Sequence, residues 1–93
     1  GELPLALDEL SECVSDGETP EQTLMRQQLA LRFNQFLQGL PETERSVFLC
    51  RYWYVDSIAQ IASQFGFTES KVTSMLHRTR AKLRTMLQKE GWA

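Results

Sequence analysis

The sequence predicts an all-α fold, a small helical domain of about four helices. Three observations carry that prediction. Apolar residues recur three and four positions apart through most of the chain beyond residue 22. Gly, Pro, Ser and Thr stand at the places where such stripes begin and end. No run alternates apolar and polar residues as a half-buried strand would, and no internal repeat is visible.

The first predicted helix follows the loop-like stretch SDGETPEQ, Ser15 to Gln22. Thr19 suits its N-cap, Pro20 its first position, and Gln22 the capping-box partner. Leu24, Leu29, Leu31, Phe33, Phe36 and Leu37 make a noisy stripe, and Gly39 ends it. Pro41 starts the second helix. Glu42 and Glu44 lie in its first turn, where the helix dipole favours acids. Val47, Phe48 and Tyr52, with Cys50 beside them, supply its buried side. Ser57 opens the third, with Gln60 at capping-box spacing. Ile58, Ile61, Ala62 and Phe65 share one face there. Gly66 permits a corner with positive φ. Thr68 caps the fourth helix, whose inner stripe is Val72, Met75, Leu76, Thr79, Leu83, Met86 and Leu87. Residues 1–18 give no element.

At 93 residues the chain suits one small domain with a modest core. No apolar run reaches the ~20 residues of a membrane-spanning helix, and no secretory signal is visible. Cys13 and Cys50 lie far apart, and His77 is the only histidine, so neither a metal site nor a cofactor is expected. Two unpaired cysteines fit a reducing, cytoplasmic setting. A single histidine without a nucleophile, acid pair or phosphate-cradling loop does not make an enzyme.

Charge is unevenly spread. Residues 1–21 hold seven acids and no base, whereas the rest holds ten bases and five acids. An acidic solvated tail would produce this, and so would a basic binding surface with an acidic arm. The last helix bears on the choice. At 100° per residue, Ser70, Ser74 and Ala81 lie opposite the apolar stripe. Thr73, His77, Arg80 and Arg84 form one flank; Lys71, Arg78, Lys82 and Lys89 form the other. A small polar floor between basic ridges suits a groove with phosphates on either side. A short helix, a Gly corner and a longer basic helix make a helix-turn-helix, the DNA-binding motif whose second helix enters the major groove. An ordinary αα-hairpin with a solvated basic face shares several of these features.

LPETERSVFLCRYW followed by SIAQIASQFGFTESKVTSMLHRTRAKL resembles region 4 of bacterial sigma factors of the sigma-70 family, most closely the extracytoplasmic-function type. The matching positions are Leu40–Pro41, Arg45, Val47–Tyr52, Ser57–Ala62, Gly66, Val72 and Arg78–Arg80, and the resemblance covers about residues 20 to 90. It implies binding to the minus-35 promoter element and docking on the flap of the RNA polymerase β subunit. Capture by an anti-sigma factor is a further implication. By position it puts Thr73, Ser74 and His77 at base-reading sites, with Ser70 on the same face. It puts Lys71, Arg78 and Arg80 at or near backbone contacts. Ser57 and Thr68 cap helix N-termini that could face phosphates.

Three departures stand out. Relatives often carry a base where Thr73 stands, a Glu where Gln60 stands, and a Gly in the loop occupied by Val55–Asp56. The family's region 2 is not in the chain, so the sequence is expected to be a piece of a longer sigma factor. Residues 1–18 then read as a flexible acidic linker and 19–93 as the helix-turn-helix domain. Two alternatives remain at this point: the helix-turn-helix output domain of a transcriptional regulator, and a protein-interaction module that binds an anti-sigma factor.

Overall fold

The computed structural model describes residues 2–11, 13 and 23–91, with the backbone alone described for 23–26. Among the described residues there are five helices: α1 (Glu2–Ser11), α2 (Thr23–Gln38), α3 (Glu42–Tyr52), α4 (Ile58–Phe65) and α5 (Glu69–Lys89). The helix beyond the expected four is α1, formed where the sequence pattern suggests no element. Pro4 lies in its first turn, where the missing N–H would have had no intrahelical acceptor. The proposed cap at Thr19 and Pro20 lies outside the described residues.

Local chemistry sets the other boundaries. Pro41 takes an extended conformation and precedes α3, whose first turn holds Glu42 and Glu44. Ser57 Oγ accepts from Gln60 N at 3.1 Å, and Ser57 N donates to Gln60 Oε1 at 2.9 Å, closing a capping box on α4. Gly66 ends α4 at φ 71°. Thr68 Oγ1 accepts from Lys71 N at 3.1 Å and starts α5. Val55 also takes a positive φ, 58°, in the α3–α4 loop. A β-branched residue is strained there.

The core has two parts. One joins Val47, Ile61, Ala62, Val72, Met75 and Leu76, and so packs α3, α4 and the front of α5. The other joins Cys13, Leu37, Leu40, Phe48, Leu83, Met86 and Leu87, with Leu10, Leu29, Phe33 and Phe36 against it. Tyr52 borders both parts. All seven residues of the predicted α5 stripe are buried. The α2 stripe is less regular: Leu37 is buried, but Leu31 faces solvent.

Candidate nucleic-acid interface

The α4–α5 unit is held from behind by Ile61, Val72 and Leu76, each almost wholly buried. Ala62 is small enough to let the helices cross closely. The exposed face of α5 therefore has a fixed orientation. Ser70, Lys71, Thr73, Ser74, His77 and Arg78 are all exposed on it. Thr79, between the two arginines, is buried and donates to Met75 O at 3.0 Å. Lys71 leans over Phe67, with Nζ 4.0 Å from the ring centroid. Ser57 and Thr68 spend their side-chain oxygens on capping, as described above. The first two N–H groups of α4 and α5 lack intrahelical acceptors.

The bases are not equivalent. Arg78 projects outward. Arg80, two residues on, is rotated by 200° around the helix and turns inward. Its side chain is only 14% exposed. Nη1 of Arg80 donates to the Tyr52 hydroxyl at 2.8 Å and lies 3.6 Å from Glu9 Oε2. Lys82 pairs with Glu44 on α3 at 3.0 Å. His77, Arg84, Thr85 and Gln88 border a polar groove along the Arg80 flank, and Cys13 forms part of its wall. Of the residues that the resemblance puts at DNA, Arg80 alone is drawn away from the open face.

Behind Arg80 lies a cluster that sequence reading missed. Arg51, on α3, is 4% exposed. Its Nε and Nη2 donate to Glu9 Oε1 at 2.9 and 2.7 Å. Its Nη1 donates to Glu2 Oε2 at 2.7 Å and to the Asp56 carbonyl at 2.9 Å. Tyr52 donates to Glu9 Oε2 at 3.2 Å. Burial pulls the Arg51 pKa down, but hydrogen bonds and attraction from Glu9 and Glu2 leave it above its ordinary value. Burial pushes the Tyr52 phenol up to about 12, against the opposing pull of Arg80. A signal for the cluster did exist: Arg51 follows Val47 by four and Phe48 by three, so it sits on α3's apolar side.

A basic helix presented past a glycine corner, with small and hydroxyl side chains between its flanks, defines a helix-turn-helix DNA-binding domain. The family model for sigma-70 region 4 matches residues 30–83, more than half of the chain. The chain belongs to that family, whose region 4 recognises the minus-35 element and binds the core RNA polymerase. No curated protein matches it. Among the described residues, no helix is long and apolar enough to cross a membrane.

Proposed function

We propose that α5 reads the minus-35 element with Thr73, Ser74 and His77 at base edges and Ser70 beside them. Lys71 and Arg78 hold backbone phosphates, and Arg80 joins them once it swings outward. The capped N-termini behind Ser57 and Thr68 add backbone donors toward phosphates. One observation carries this reading. Thr73, Ser74, His77 and Arg78 are exposed together, while Met75 and Leu76 between them and Val72 and Thr79 on either side are buried. An α-helix so held can enter a major groove with its base-facing side chains in register.

The finer assignment is a cytoplasmic sigma factor of the extracytoplasmic-function type, with 19–93 as the promoter-binding domain and 1–18 as its acidic linker. The polymerase contact is the β flap, and an anti-sigma factor is a further partner. Exposed Trp53 and Tyr54 at the α3–α4 corner offer the kind of aromatic surface that protein partners bury.

Selection of preferred duplexes, followed by binding measurements on variants, tests the DNA reading. Ser74→Ala or His77→Ala changes the preference among sequences by about 1–3 kcal/mol per lost base contact. Arg78→Ala weakens all duplexes alike and flattens the salt slope by about one unit. Uniform weakening by all three variants refutes the division into readers and anchors.

A further inference from the structure

We propose that α1 is a cis competitor of DNA, and that Glu9 and a backbone phosphate compete for the Arg80 guanidinium. The inference rests on the DNA-binding reading above and adds a regulatory contact to it.

The rotation of α1 is the first observation. Its apolar residues Leu3, Ala6, Leu7 and Leu10 have helical spacing and could have faced the core. Instead Leu3 and Leu7 are more than half exposed. The inward line is Glu2, Ala6 and Glu9, continued by Cys13 beyond the helix end. A helix that keeps Ala6 and Leu10 against the core yet turns Leu3, Leu5 and Leu7 to water and Glu2 and Glu9 inward is oriented in part by its anion contacts. Those contacts converge on Arg51, Tyr52 and Arg80, carried by α3 and α5.

The second observation is the path of the chain. Beyond α1, Cys13 Sγ lies 3.7 Å from the Arg80 carbonyl oxygen. At Cys13 the chain thus meets α5 on the flank shared by Thr73, His77, Arg80 and Arg84.

The third is the unequal grip of Glu9 on the two arginines. Glu9 Oε1 is spent on Arg51 at 2.7 and 2.9 Å. Its Oε2 reaches Arg80 only at 3.6 Å, with the neutral Tyr52 phenol closer to that guanidinium. Arg51 is the anchor of α1, and Arg80 is the group that Glu9 holds at longer range. A phosphate at the α5 flank offers Arg80 a full negative charge and bidentate geometry. The Arg80 side chain is 14% exposed where it lies, so reaching a phosphate on the open face draws its guanidinium away from Tyr52 and Glu9. Binding of α1 and of DNA are therefore negatively coupled, and the coupling is reciprocal.

The test uses the full chain and a short duplex of fixed sequence across about 50 to 200 mM salt. Glu9→Gln keeps the shape of the contact and removes its charge. At low salt it should bind about 2- to 5-fold tighter than the parent, the range expected of a part-exposed ion pair. Its salt slope should steepen by up to about one unit, because the parent uncovers the Glu9 carboxylate when Arg80 leaves it and takes up a cation there, which Gln does not. In an Arg80→Ala background the tighter binding should vanish. Amide hydrogen exchange of the unaltered chain gives an independent readout: duplex should speed exchange in residues 2–11. Equal affinity of parent and Glu9→Gln at low salt overturns the proposal. So does an equal improvement in the Arg80→Ala background, which would report net charge alone, or unchanged exchange in α1. Failure of the DNA reading looks different: neither parent nor variant binds duplex, and the proposal falls with it.

Discussion

Replacing Arg51 with Ala removes the principal tie between α1 and the rest of the cluster at one atom group. The perturbation deletes three N–H donors to Glu9 and Glu2 and one to the Asp56 carbonyl. Breaking a fully buried ion pair costs about 3–5 kcal/mol, because the orphaned partner stays dry. Here the orphans can rehydrate, since the Glu2 and Glu9 side chains are 39% and 24% exposed. That reduces the charge contribution to about 1–2 kcal/mol. The Asp56 carbonyl loses about 1 kcal/mol more. The vacated stem volume adds a similar amount, giving roughly 3 kcal/mol in all. For a domain of this size that is a fall in Tm of about 12–24 °C. Thermal melts followed by circular dichroism measure it, and the same spectra report loss of α1 helix before the main transition. Arg51→Met refills the stem volume without the charge, so it should recover about 1 kcal/mol of stability but not the helicity of α1. An Arg51→Ala melt within about 2 °C of the parent would refute the reasoning, since that shift is under 1 kcal/mol. Equal melts for the Met and Ala variants would remove the packing contribution from it.

The positive-φ corners at Gly66 and Val55 predict opposite responses. Gly66→Val meets no atom within 4 Å but puts a β-branched residue at φ 71°, costing about 1–2 kcal/mol of backbone strain. Val55→Gly relieves strain at φ 58° and should raise Tm or leave it unchanged, as the relief of about 1–2 kcal/mol is offset by added chain entropy. A stabilised Gly66→Val variant would show that the corner is built another way. Tyr52 gives a pH dependence. The unfolded phenol ionises near 10.0 and the folded one near 12, so its contribution is full below pH 10.0 and is lost as pH rises to 12. After discount for partial exposure the loss is about 1 kcal/mol, read as the difference between parent and Tyr52→Phe melts across that window.

The parts legible in the sequence are those written in short range. Ser57 with Gln60, Gly66 and Thr68 each act within a few residues, and all of them perform the expected capping or turning. The α5 stripe follows from a single helical period. What stayed hidden depends on contacts across the chain. Glu9 and Glu2 meet Arg51 from 42 and 49 positions away. No periodicity in the first eleven residues announces that pairing, because the leucine pattern and the ion pairs favour different rotations of α1. Arg78 and Arg80 share a motif and look alike in sequence. Their separation around the helix gives one to solvent and the other to Tyr52.

α5 runs through both halves of the core, with Val72 to Leu76 in the front cluster and Leu83 to Leu87 in the rear. Its 21 residues make a rod of about 30 Å. Mechanically it is a lever, with its working end at Ser70 and Ser74 and its seat at Met86 and Leu87. A tilt of about 2° at the seat moves the working end by about 1 Å over that length. Aim is thus adjusted far from the tip. On the proposed reading of α5, substitutions at Met86 or Leu87 that repack the seat shift which base pairs the helix meets while leaving Ser70, Thr73, Ser74 and His77 unaltered.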